Sequence, residues 1–175
     1  LKVLAIPCDV SIIGYDNKVT NTLRLWTAEP ADEDIPQGES FTEYLNFVRN
    51  ITHGLYPDDT TENGKLLRLR QQYFLVSAGL QSALRAHYRK YKTYDNLPDH
   101  YVFQLNDTHP IMAIPELMRL LMDEHDYGWD KAYEIATKCF AFTNHTVMAE
   151  ALEKWPCHYI ANLCPRVYMI IEEIN

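Results

Sequence analysis

Two short β-like runs, His100 to Asn106 (HYVFQLN) and Cys139 to Thr143 (CFAFT), bracket two stretches with helical spacing, and this order restricts the chain more than any other feature. The first run is rich in aromatic and β-branched residues. The second is too short and too continuously apolar for a helix between such neighbours, so both are read as strands. Between them, Ile111 to His125 and Trp129 to Lys138 read as helices, the first able to hold Pro115 only in its opening turn. Strand, helices, strand is the βαβ pattern, which implies parallel pairing, if both strands join one sheet, and a right-handed crossover. The expected fold class is α/β.

The remaining segments add a hairpin and long helices. Val3 to Tyr15 and Val19 to Thr27 are β-rich and separated by the turn-forming Tyr15-Asp16-Asn17-Lys18. An acidic, proline-containing stretch from Glu29 to Glu39 has loop chemistry. Ser40 with Glu43 three residues on forms a capping box, and Tyr44, Phe47, Val48 and Ile51 give the stripe of a helix ending near Leu55, ahead of Pro57. The polar segment PDDTTENG (Pro57 to Gly64) is a loop whose length suits either mobility or function. Lys65 to Tyr91 then carries Leu69, Tyr73, Val76, Leu80 and Leu84 on one side, a helix of about 27 residues and roughly 40 Å. Val167, Ile170, Ile171 and Ile174 repeat the amphipathic spacing at the end of the chain. LKVLAIP opens without methionine inside an apolar run, and only Asn175 weakly closes the last helix. Both ends are therefore expected to be cut from something longer, a complete small protein being the alternative.

With 175 residues, 47% hydrophobic and 23% charged, one domain or a large piece of one is expected. The formal net charge of -8 opposes nucleic acid and anionic membrane as partners, and no run of basic residues offsets it. Cys8, Cys139, Cys157 and Cys164 show no C-x-x-C spacing, and three lie in apolar contexts, which reads as buried free thiols in a reducing compartment. No stretch is apolar for long enough to cross a bilayer and no signal-peptide layout opens the chain, so a cytoplasmic protein is expected. The N-x-T triplets at Asn50, Asn106 and Asn144 matter only in a secreted protein.

Parallel strands bring their carboxyl ends to one edge, and ligands of open α/β sheets bind beyond it. Asn106, Asp107 and His109 follow the first strand, and Asn144, His145 and Thr146 follow the second. Amides, a carboxylate and imidazoles suit an uncharged polyol, whose hydroxyls both donate and accept. Two other readings stay open: a turn whose Asn and Asp side chains cap the next helix, and a zinc site from Asp107, His109 and His145, for which no H-E-x-x-H or nearby cysteine speaks. There is no G-x-S-x-G, no glycine-rich phosphate loop, and Cys139 sits in an apolar strand where a thiolate is costly. Asp58, Asp59 and Glu62 form an acidic loop with solvation as its default.

In order along essentially all 175 residues, GYDNKVTNTLRLW, LYPDD, GKLLRLRQQYFLVSAGLQ, QLNDTHP, AIPELMRLLMDE, NHTVMAEALEKWP and IIEEIN resemble the α-1,4-glucan phosphorylases that act on glycogen and maltodextrin. The resemblance implies two Rossmann-like domains of the GT-B type facing a cleft. Residues 1–175 would form the later part of the first, and the second would hold pyridoxal phosphate as a Schiff base on a lysine outside this chain. It implies phosphorolysis of terminal α-1,4-glucosidic bonds by inorganic phosphate, giving α-D-glucose 1-phosphate with retained configuration. The fragment itself is expected to be inactive. By the same resemblance His145 holds the 6-hydroxyl of the transferred glucosyl unit, with its backbone carbonyl near the reacting carbon. Asn144 and Thr146 accompany it, Asp107 and His109 line the adjoining pocket, and Tyr56 packs on the glucan.

Asp58 to Gly64 resembles the active-site gate, with Asp59 and Arg68 as its acid and the arginine beyond, and with a glycine that permits movement. Thr60, Thr61 and Glu62 stand where animal enzymes carry an asparagine and two phenylalanines, and Arg85-Ala86 where they carry paired arginines for AMP. The helix near 40–55 resembles the one that packs across the family's homodimer interface. A stand-alone carbohydrate-binding or assembly module is the alternative from another class.

Overall fold

The alternating β-branched residues at the start of the chain form an antiparallel ribbon, β1 (Val3–Ile13) and β2 (Thr20–Pro30), in register from Val3 opposite Pro30 to Ile13 opposite Thr20. This is seen in a computed structural model that describes residues 2–31, 40–145, 147–149 and 152–175. The chain divides into two units, Leu1–Phe74 and Leu75–Asn175.

In the first unit the ribbon turns where expected. The Gly14 N–H donates to the Val19 carbonyl at 3.0 Å and the Val19 N–H to Asn17 Oδ1 at 2.9 Å, with Asp16 in the left-handed region at φ 46. β2 runs three residues past the expected Thr27, because Ala28 is buried and its N–H donates to Thr52 Oγ1 at 3.1 Å. Asp9 and Arg24, opposite each other in the register, form a bidentate pair at 2.6 Å.

Helix α1 (Phe41–His53) starts as its capping box requires. Ser40 Oγ accepts the Glu43 N–H at 3.3 Å, and the Glu43 carboxylate accepts the Ser40 N–H at 3.0 Å. Those bonds to Ser40, the backbone one foremost, hold the Glu43 carboxyl below the usual range. Tyr44, Val48 and Ile51 are buried together with Ala28. The helix stops at His53 rather than Leu55, and buried Gln71 donates to the Gly54 carbonyl at 2.7 Å, satisfying one acceptor that the helix end leaves open.

Helix α2 (Glu62–Tyr91) begins three residues earlier than expected. Thr61 acts as its cap: its Oγ1 accepts the Gly64 N–H at 3.1 Å and its carbonyl accepts the Lys65 N–H at 3.0 Å.

In the second unit β3 (Phe103–Asn106) pairs parallel with β4 (Phe140–Thr143), Phe103 opposite Phe140 and Asn106 opposite Thr143. The βαβ order thus gives the parallel pair it implied. Between the strands lie α3 (Ala113–Arg119), with Pro115 in its first turn, and α4 (Trp129–Cys139). The expected helix from Ile111 to His125 is not uniform, since Leu120–Glu124 widens into a π turn in which the adjacent Leu120 and Leu121 are both fully buried. Cys139 closes α4 instead of opening the strand, and burial pushes its thiol up to about 11.

The chain ends in α5 (Cys157–Leu163), which the sequence reading did not include, and α6 (Pro165–Ile174), which buries Val167 and Ile170 but leaves Ile174 exposed. The core of this unit gathers Leu84 of α2, Leu105 of β3, Leu117 of α3, Ile135 of α4 and Ile170 of α6. Of the four cysteines only Cys139 and Cys164 are buried; Cys8 and Cys157 are exposed, which corrects the expectation of buried thiols. No helix among the described residues is long and apolar enough to cross a membrane.

Candidate functional site

Because β3 and β4 run the same way and end level, the residues after Asn106 and Thr143 leave the sheet at one edge. The Asp107 N–H continues the ladder one step, donating to the Thr143 carbonyl at 2.8 Å. Asp107 itself lies at φ 69, a left-handed conformation that costs a non-glycine residue about 1 kcal/mol and that aspartate tolerates better than most. After that bend, Asp107 Oδ1 accepts the backbone N–H of His145 at 3.3 Å. Asn106 Oδ1 lies 2.5 Å from Nε2 of the His145 ring. One step back along β3, Gln104 Nε2 donates to Thr143 Oγ1 at 2.8 Å.

The end of β3 therefore holds His145 twice, its ring through Asn106 and its backbone through Asp107. Asn144 and His145 are exposed beside these anchors, and Asp107 is half-buried. Amide, imidazole and carboxylate together offer donors and acceptors to a hydroxylated ligand.

The helix-capping reading fails here. The N-cap of α3 is Met112, without a side-chain bond, while Asn106 and Asp107 turn to His145. Among the described residues no three His, Cys, Asp or Glu side chains gather as a metal-holding group. His109 is exposed on the turn into α3 and makes no hydrogen bond among the described residues to the His145 cluster. Thr146 lies outside the described residues, as does most of the loop expected from Glu29 to Glu39. The functions of Gln104 and Asn106 as strand-end ties were missed in sequence. Their i, i+2 spacing, which puts two amides on one side of a strand, was the available signal.

Tyr56, Asp59 and Arg68 belong to the first unit. Tyr56 is 81% exposed and adopts φ 55, unusual for a bulky residue. Arg68 Nη1 pairs with Asp59 Oδ2 at 3.0 Å, so the expected acid and arginine do meet. Asp58 Oδ1 accepts from the hydroxyl of Thr60 at 2.7 Å and from its N–H at 3.0 Å, which holds the Asp58 carboxyl below its usual range.

Gly64 is not a loop hinge but sits in the first turn of α2, where an added Cβ would lie 1.8 Å from the Asp58 carbonyl oxygen. Glycine to alanine inside a helix usually gains about 0.5–1 kcal/mol. Here the contact is with backbone and cannot be relieved by a rotamer, so Gly64→Ala is expected to destabilise by about 1–3 kcal/mol. Limited proteolysis within residues 58–64 should accelerate with it; cleavage at the wild-type rate and an unchanged melting temperature would contradict this packing.

The family model described as carbohydrate phosphorylase matches residues 1–175. Glycogen phosphorylase of Bacillus subtilis is 47% identical over 173 residues, covering 99% of this chain and 21% of that protein. That of Haemophilus influenzae is 47% identical over 180 residues, again covering 99% of this chain and 22% of the relative. The muscle-form glycogen phosphorylase of Oryctolagus cuniculus is 45% identical over 188 residues, with the same coverage of 99% and 22%. The chain thus spans about a fifth of the length of the curated relatives it matches. With every residue inside the matched pattern, this chain belongs to the carbohydrate phosphorylase family.

Proposed function

We propose that the protein carrying these residues phosphorolyses terminal α-1,4-glucosidic bonds of an α-glucan, glycogen or maltodextrin, to α-D-glucose 1-phosphate, and that this segment contributes sugar contacts. The observation that carries the reading is the His145 cluster at the shared end of β3 and β4, in a chain whose relatives are named glycogen phosphorylases. In this reading the segment is the later part of the first of two Rossmann-like domains in a cytoplasmic homodimer. Helix α1 faces the second subunit with the side opposite its buried Tyr44, Val48 and Ile51, a side that includes exposed Asn46 and Arg49.

Asn144, His145 and Asp107 orient the glucosyl unit through its hydroxyls, and Tyr56 offers its ring to the C–H face of the glucan. Positive charge grows on the glucosyl carbon as the bond breaks. A carbonyl oxygen fixed nearby, as that of His145 would be, stabilises the charge without reorganising. Asp59 and Arg68 tie the loop before α2 to the helix beyond it.

The family also implies pyridoxal phosphate, which supplies a phosphate group for proton exchange when bound. Three of the lysines here, Lys90, Lys131 and Lys138, do not fit its attachment. Lys131 is held cationic by Glu134, Lys138 pairs with the same carboxylate, and Lys90 lies over the Tyr91 ring.

The test is product analysis with the full-length protein, glycogen or maltodextrin, and phosphate. Phosphate-dependent release of glucose 1-phosphate is expected, with none from residues 1–175 alone. Release of free sugar without phosphate consumption would make the protein a hydrolase and end the proposal.

A further inference from the structure

We propose that Asn106 is a positioning residue that fixes the tautomer of His145, and through it the polarity of the hydroxyl the site accepts. The inference rests on His145 being a sugar ligand, and adds which way the hydrogen bond to that sugar must run. An amide oxygen only accepts hydrogen bonds, so with Asn106 Oδ1 at 2.5 Å the proton of the ring sits on Nε2. A neutral imidazole carries one N–H, which leaves Nδ1 with a lone pair.

The backbone that carries the ring is held as well. Asp107 holds the His145 N–H at 3.3 Å, and the Gln104 to Thr143 bond at 2.8 Å keeps the ends of β3 and β4 level, with Asn106 opposite Thr143. A hydroxyl reaching Nδ1 must therefore donate its proton there. A fluorine at the same place can only present lone pairs to a lone pair. The site would thus select a donating hydroxyl over an accepting isostere of nearly the same size, and Asn106, which need not touch the sugar, would be the origin of that selection.

The probes are glucose 1-phosphate and its 6-deoxy-6-fluoro analogue, used by the full-length protein to extend a maltodextrin with release of inorganic phosphate. The readout is the ratio of the two kcat/KM values. Asn106→Ala frees both tautomers and is expected to lower the preference for the hydroxyl roughly tenfold, the scale of one well-made hydrogen bond. His145→Ala should lower it as well. Nitrogen-15 spectra of histidine-labelled protein, with the His145 signals assigned by their loss in His145→Ala, should show an unprotonated Nδ1 in the wild type and a tautomer mixture in Asn106→Ala. A ratio that falls with His145→Ala but not with Asn106→Ala, or a protonated Nδ1 in the wild type, overturns the positioning role alone. A ratio untouched by either variant overturns His145 as the sugar ligand.

Discussion

Replacing Glu116 with alanine is expected to destabilise the protein by about 3 kcal/mol, the scale of a broken buried ion pair. Glu116 is fully buried, and its carboxylate accepts from Ser77 Oγ at 2.6 Å and from Arg119 Nε and Nη2 at 2.8 and 3.0 Å. Ser77 lies on α2, whereas Glu116 and Arg119 lie on α3, so one carboxylate ties the two helices. Truncation leaves the Ser77 hydroxyl without that acceptor and takes from Arg119 the buried one of its carboxylate partners, while its pair with Glu124 at 3.1 Å stays.

The negative charge is felt further along the unit. Burial first, and then the charge of Glu116, push the Cys164 thiol up to about 12. Glu116→Gln keeps an acceptor for Ser77 and should cost only about 1–2 kcal/mol. The double replacement Glu116→Leu with Arg119→Met should recover much of the loss, because it removes both desolvated charges. Hydrogen exchange of the α3 amides across a denaturant series measures these differences. A loss under about 1 kcal/mol for Glu116→Ala would mean the pair behaves like a solvated one.

Parallel pairing was legible in the sequence because a short apolar run cannot be a helix between two helices, and strands separated by helices rarely pair otherwise. The capping box at Ser40 was legible because both partners lie within four residues. The start of α2 was not. Thr61 sits among polar neighbours that each have loop chemistry, and only the bond from Gly64 identifies it as a cap. The π turn at Leu120–Glu124 was hidden for a different reason: burial of two consecutive leucines is decided by what packs around them. Cys139 was misplaced by one residue, within the usual slack of an element boundary.

Convergence of Asp107 and His145 followed from element order alone, since parallel strands deliver the residues after them to one edge. The assignment of partners did not follow. Asn106 takes the ring and Asp107 the backbone because Asp107 bends at φ 69, and a sequence can only suggest such a bend. His109 stands apart from these bonds. It is two residues beyond Asp107 in sequence, yet it lies on the turn into α3 and does not join the hydrogen bonds around His145.

On the proposed function, His145→Ala in the full-length protein is expected to lower kcat for phosphorolysis by about 10²–10³ while leaving the fold intact. The side chain is exposed, so its removal creates no cavity and should change stability by less than about 1 kcal/mol. What it removes is a polar contact whose geometry is set in advance by two anchors, the Asn106 amide at 2.5 Å and the Asp107 carboxylate at 3.3 Å. A preset contact gains most when the glucosyl unit flattens and moves toward phosphate, which places the loss in kcat more than in KM. The backbone carbonyl of residue 145 survives the substitution, so a residual rate well above that of the uncatalysed reaction should remain. Asp107→Ala releases the backbone instead of the ring and also removes a residue that tolerates φ 69, so it should lower kcat and stability together. Parallel measurement of kcat, KM and melting temperature for the two variants separates these effects. If His145→Ala raised only KM, the ring would be binding ground state and transition state alike, and its place at the reacting sugar would have to be given up.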